Sequence, residues 1–175
     1  MNFNVDSRFV TLVPPENIID VKEANKYFKK FIRKMRIKYG GFDYLAVIEF
    51  QKKSGRVHYH VLWNLDYIKQ KKILKIWGDG KGSVFIKRIY NVDNLGAYLL
   101  KYMGKGVSDS RLFGNKAYLC SKGLKRASVE NLSEDEYMEF LKKYNVENLK
   151  PSYIVKPYDS ENYGLITEVE YNLKR

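Results

Sequence analysis

The alternation of apolar and polar positions divides the chain into short elements of changing period. Arg8-Phe9-Val10-Thr11-Leu12-Val13 has strand composition and is stopped by Pro14-Pro15. From Val21 the period lengthens. Val21, Ala24, Phe28, Phe31, Ile32 and Met35 recur at helical spacing, with Asp20 placed as N-cap, Glu23 completing an Asx-type capping box and Gly40-Gly41 as the stop. Tyr44 to Phe50 is a nearly continuous apolar run, the signature of a central strand covered on both faces, interrupted only by Glu49. A short polar connection, Gln51 to Arg56 with Ser54-Gly55, then predicts a hairpin into Val57-His58-Tyr59-His60-Val61-Leu62-Trp63. Beyond it, Asp66 is placed to cap a short helix through Ile73, Leu74 and Trp77, ending at Gly78, and Ser83 to Ile89 reads as a further strand.

A second helix-period segment covers Asn94 to Lys105, capped by Asn91 or Asp93 and ending near Gly104 or Gly106. Asn115 to Arg126 mixes basic and aromatic residues and reads either as a single-stranded nucleic-acid contact or as a last strand with a basic exit loop. Ser133 and Glu136 form a capping box for a helix through Tyr144, and 152–156 and 166–173 read as two terminal strands. The order is β-α-β-β-α-β-α and more. Residues 1–126 are expected to form the core, with 127–175 completing the same domain or joining a further segment.

Charge sharpens this division. The 175 residues carry a net charge of +12. Residues 1–126 hold 26 basic and 10 acidic side chains, whereas 127–175 hold 6 and 10. The positive potential, which favours a polyanionic partner, therefore belongs to the first part. The lysines and arginines of the helix after Asp20 are expected on a solvated outer face. Cys120 is the only cysteine, which excludes an internal disulfide framework and agrees with a reducing cytoplasm. No apolar run reaches membrane-spanning length, and no signal peptide is evident at the N-terminus. Gly80-Lys81-Gly82 lacks P-loop spacing and there is no Walker motif elsewhere, so no ATPase or helicase is expected.

The candidate chemistry sits in the positive part. His58 and His60 are the only histidines, and on a strand positions i and i+2 point to one face. Two neutral imidazoles converging there can share a divalent metal. A hairpin that sets Glu49 opposite His58 adds a carboxylate to that face, since a Glu inside an apolar strand is costly unless paired or bound to a cation. Two histidines and a carboxylate suit Mn²⁺, with Mg²⁺ the other physiological option. Downstream, Tyr98-x-x-Lys101-Tyr102-x-x-Lys105 puts two tyrosines on one helix face, each followed three residues later by a lysine. A nearby cation favours the phenolate and can neutralise a phosphate oxygen during displacement.

In this order, Phe-Val-Thr-Leu, His-Tyr-His and Tyr-x-x-Lys-Tyr-x-x-Lys resemble the rolling-circle replication initiators of the HUH endonuclease superfamily. The likeness is to the small replication-associated proteins of bacterial plasmids and single-stranded DNA phages, over roughly residues 8–126 by the reach of these motifs. The resemblance implies an α+β fold, a ferredoxin-like or RRM-like antiparallel sheet with helices behind it and the metal site on its open face. It implies that a tyrosine attacks a phosphodiester of single-stranded DNA at a replication origin, near a hairpin, leaving a 5′-phosphotyrosine and a 3′-hydroxyl that primes synthesis; a reverse transfer later rejoins the strand. His58 and His60 then match the metal ligands, Glu49 a third ligand, Tyr102 the retained nucleophile and Tyr98 the additional tyrosine, with Lys101 and Lys105 beside them. Val13 departs from relatives that continue the first motif with a small polar residue. The expected DNA contacts are Thr11, Arg56, Lys116, Tyr118, Lys122, Lys125 and Arg126. The expected setting is the cytoplasm of a bacterial host, with a host helicase and polymerase as partners and no membrane. Competing readings are a transposase or relaxase of the same superfamily, a non-catalytic RRM-like nucleic-acid-binding module, and a non-haem iron oxygenase with a similar ligand set.

Overall fold

The computed structural model describes residues 2–4, 6–89, 99, 109–126, 128–162 and 164–171. It divides into two compact units, Met1–Lys125 and Arg126–Arg175.

The first unit contains β1 (Arg8–Val13), α1 (Val21–Tyr39), β2 (Tyr44–Phe50), β3 (Val57–Trp63), α2 (Gln70–Ile76), β4 (Ser83–Arg88) and β5 (Tyr118–Cys120). The strands make one antiparallel sheet in the order β4-β1-β3-β2-β5. A β-α-β-β-α-β chain whose first four strands lie in the order 4-1-3-2 is the ferredoxin-like arrangement. β5 extends it at the β2 edge. The fold class is α+β, as the sequence leads one to expect.

The helix α1 forms where its apolar stripe predicts. All six stripe residues are buried, and the Asp20 carboxylate accepts from the Glu23 amide at 2.7 Å. Gly40 closes it at φ 85°, in the left-handed region that a glycine adopts without strain. Its basic residues Lys26, Lys29, Lys30, Arg33 and Lys34 are exposed. The stripe packs against the side of the sheet made by Val10 and Leu12 of β1, Ala46 and Ile48 of β2, and Tyr59, Val61 and Trp63 of β3. Phe28 stacks on Tyr59 with centroids 4.5 Å apart, and Phe31 meets Trp77 edge-on at 5.1 Å. The Tyr59 hydroxyl donates to Asn25 Oδ1 at 2.9 Å, and burial pushes its pKa far above the usual tyrosine value. The residue between the two histidines is thus a core anchor.

Two expectations are corrected. The second helix starts at Gln70, not after Asp66, and its N-cap position, Lys69, makes no side-chain capping bond. Leu65 and Ile68 both dock on the main core, which keeps the chain out of helical backbone until Lys69. The C-terminal residues form four short strands where two were expected. In the second unit, α3 (Glu134–Lys143) carries the full Ser133–Glu136 capping box but buries no residue. After it, β6 (Tyr153–Ile154) pairs with β9 (Val169–Glu170), while β7 (Tyr158–Ser160) and β8 (Gly164–Ile166) form a separate hairpin. Gly164, at φ 69°, allows that tight reversal and so breaks what reads as one long terminal strand. No helix among the described residues is long and apolar enough to cross a membrane.

Candidate active site

The register of the sheet decides which side chains share a face. Glu49 lies opposite His58, and Val47 opposite His60. On the other side of β3, Thr11 lies opposite His60 and Phe9 opposite Leu62. Directly paired residues project to the same side. Phe9, Thr11, Val47, Glu49, His58, His60 and Leu62 therefore occupy the face turned away from α1.

His60 is held on three sides. It is only 6% exposed, its ring stacks on Phe9 with centroids 5.8 Å apart, its Nδ1 lies 3.3 Å from Thr11 Oγ1, and its Nε2 lies 2.6 Å from Glu49 Oε2. With Glu49 ionised, the Nε2–H donates to the carboxylate and the Thr11 hydroxyl donates to Nδ1. The hairpin sets Glu49 against His58 in register, yet its carboxylate reaches the diagonal neighbour His60, a contact within the span of a long side chain across an antiparallel pair.

His58 is in the opposite situation. Its Nε2 is buried and has no hydrogen-bond partner. Burial, followed by the His60 ring, holds its pKa below the ordinary 6.5; Glu49 opposes this and Arg56 adds to it. A neutral imidazole with an unengaged nitrogen is the form that binds a metal. Among the described residues, no three His, Cys, Asp or Glu side chains are arranged to hold a metal ion as they stand. The reason on the page is that Glu49 is turned to His60 Nε2. In kind, however, the residues fit a divalent ion. Two imidazoles and one carboxylate on a single face are a suitable donor set, and the orphaned His58 nitrogen is a buried polar atom that a ligand would satisfy.

The residues expected to touch DNA have varied fates. Thr11 is engaged with His60. The Arg56 guanidinium donates to the Pro14, Pro15 and Glu16 carbonyls at 2.5, 3.0 and 3.1 Å, fastening the turn after β1 to the β3 entrance. Tyr118 is 45% exposed and lies opposite Val47, on the histidine side. Lys116 and Lys122 flank β5 and are exposed. Lys125 is exposed too, with its backbone tied to the Asn2 side chain at 2.8 and 2.7 Å. Arg126 is exposed and belongs to the second unit. Tyr98, Lys101, Tyr102 and Lys105 lie outside the described residues. Leu99, from the same stretch, is described. It is buried at 4% exposure in a cluster with Phe9, Val47, Leu62 and Ile89, on the histidine side of the sheet.

Sequence reasoning missed Phe9 and Phe85. Phe9 alternates with Thr11 along β1, which was the available signal for a ring beside His60. Phe85 lies opposite Thr11 on β4 and is 61% exposed.

The fold and the face together define an α+β protein with a histidine–carboxylate centre on the open side of an antiparallel sheet. Residues 7–107 match the model of a family described as replication-associated protein ORF2, and the chain belongs to that family. It is thereby associated with DNA replication. No curated protein matches the chain, and no solved structure does.

Proposed function

We propose that this protein initiates rolling-circle replication as an HUH endonuclease, nicking single-stranded DNA at its origin and carrying the new 5′ end on a tyrosine. The observation that carries this reading is the shared face of His58, His60 and Glu49, with the His58 Nε2 buried and unpartnered, in a chain of a replication-associated family.

His58, His60 and Glu49 would hold Mn²⁺ or Mg²⁺, whose chemistry when bound is to polarise the scissile phosphate and fix its orientation. His60 would exchange its Nε2 proton for that role, and the Thr11 hydroxyl can then accept from Nδ1–H, since a hydroxyl serves as donor or acceptor. The nucleophile assigned is Tyr102. Its phenolic oxygen forms a bond to phosphorus, the bond from phosphorus to the 3′ oxygen breaks, and the phenolic proton ends on that oxygen. One phosphodiester replaces another, so no ATP is required. Lys105 and Lys101 would lower the cost of the phenolate and of charge on the phosphate. Tyr98 is assigned the second transfer that rejoins the strand. Leu99 supports this: it packs beside Val47 and Leu62 on the histidine face, next to Tyr98 in the chain and three residues before Tyr102. The DNA partner is single-stranded origin DNA near a hairpin, with a host helicase and polymerase following.

The test is incubation with single-stranded oligonucleotides from the replicon, with Mn²⁺ or with chelator, read on a denaturing protein gel. A metal-dependent covalent adduct lost in Tyr102→Phe supports the assignment; an adduct that maps mainly to Tyr98 reverses the two tyrosines. One observation favours a second reading. The His60–Glu49 contact satisfies both groups without a metal, as in a non-catalytic RRM-like binding module. Tight DNA binding with no adduct would select it.

A further inference from the structure

We propose that Phe85 and Tyr118 are the two ends of a base-stacking track that carries single-stranded DNA across the histidine face, perpendicular to the strands. This rests on the reading that the chain acts on single-stranded DNA, and adds to it the path and the residues that grip the bases.

The geometry comes from the register. Phe85 lies opposite Thr11, Thr11 opposite His60, His60 opposite Val47, and Val47 opposite Tyr118. These five residues form one continuous row across all five strands. At ~4.8 Å between strands, the row spans about 19 Å. Its interior is closed: Val47 is 0% and His60 6% exposed. Its two ends are open, with Phe85 61% and Tyr118 45% exposed. A solvated face of an edge strand ordinarily carries polar residues. Here both edge strands place a large ring on that face, in the row of His60.

The chemistry of the surroundings selects the occupant. Lys116 and Lys122 are exposed on either side of β5, and the unit bears a strong excess of positive charge. A protein partner would favour one contiguous apolar patch. Two rings held apart by a polar centre, among lysines, instead suit a chain that offers a flat base at intervals and a phosphate between them. Bases stack on aromatic side chains whatever their identity, while lysines neutralise the backbone. A strand laid along this row would put a phosphate over the His58–His60–Glu49 centre with a base held on each side.

The test uses a fluorescein-labelled oligothymidylate 20-mer in chelator, with affinity measured by anisotropy across a salt series. Phe85→Leu and Tyr118→Leu should each weaken binding about tenfold, as loss of one base stack does. The slope of log affinity against log salt should stay unchanged, because a stack releases no counterion. Lys122→Ala should instead flatten the slope. Phe85→Tyr and Tyr118→Trp should keep the affinity, which separates a stacking role from a fold defect. Wild-type affinity in both leucine variants would overturn the track, and so would a flattened slope in either. If the wild type forms no covalent adduct with Mn²⁺ while both rings count for binding, the nuclease reading falls and the track stands. If the adduct forms and both leucine variants bind normally, the nuclease reading stands and the track falls.

Discussion

Replacing His58 by leucine should make the protein more stable and useless for nicking. The His58 Nε2 is buried without a partner, and an unsatisfied buried polar atom costs about 1–3 kcal/mol. The residue as a whole is only partly buried, which places the gain at the low end, about 1 kcal/mol. For a unit of this size that corresponds to a rise in Tm of about 4 °C in chelator. Mn²⁺ should reverse the ranking. A ligand at a hundred times its Kd stabilises the protein that binds it by about 2.7 kcal/mol, and His58→Leu loses a donor. The assay is thermal melting of both proteins, once in chelator and once in saturating Mn²⁺. A lower Tm for His58→Leu in chelator would refute the claim that the nitrogen is a liability in the resting protein. An equal rise with Mn²⁺ in both proteins would refute its role as a ligand.

The same imidazole gives a pH dependence. Its pKa is held below 6.5, so the stability it contributes is complete above that value and is lost as pH falls through the lowered folded value. In chelator, urea midpoints of the wild type should drop below about pH 6.5 more steeply than those of His58→Leu. Arg56→Ala should cost about 1.5–3 kcal/mol in urea unfolding, the range for hydrogen bonds to a charged group, while leaving the salt slope of DNA binding unchanged; a slope smaller by about one would reveal a phosphate contact instead. Gly82→Ala should cost about 1–3 kcal/mol, since its new methyl would stand 2.7 Å from the Val13 carbonyl oxygen and 2.8 Å from Trp77 Cδ1, both in the packed end of β1. An unchanged urea midpoint would mean that this end of the sheet yields.

Elements governed by periodicity and local capping were readable from the chain. The six buried positions of α1, its Asp20 cap and the pairing of Glu49 with His58 follow from spacing and from the shortness of the Gln51–Arg56 hairpin, whose Gln51 amide donates to the Arg56 carbonyl at 2.9 Å. What spacing could not decide is where a long side chain ends. Face and register put Glu49 beside both histidines, but only the packed structure shows its carboxylate on His60. Arg56 was read by its charge. Its use is set by Pro14 and Pro15, whose carbonyls end β1 and need donors that the strand no longer supplies. Asp66 had the right residue type for a cap, but the docking of Leu65 and Ile68 on the core outweighed it. Phe85 was hidden inside a strand pattern, because alternation assigns a residue to a face and says nothing of what lies above that face.

The triplet His58-Tyr59-His60 explains why the centre is on this strand. β3 lies between β1 and β2, so each of its side chains has neighbours on both flanks. Tyr59 drives into the apolar side, stacked on Phe28 and held through its hydroxyl by Asn25. A shift of one residue in register would put Tyr59 on the open face and two imidazoles into the hydrocarbon of α1. The cost of burying those polar rings without partners excludes that pairing more firmly than the histidine face alone could. The apolar side therefore fixes the polar one. The strand can carry an unsatisfied nitrogen at His58 because Tyr59, Val61 and Trp63 secure its position from behind, and the face bearing that nitrogen is the one bracketed by Phe85 and Tyr118.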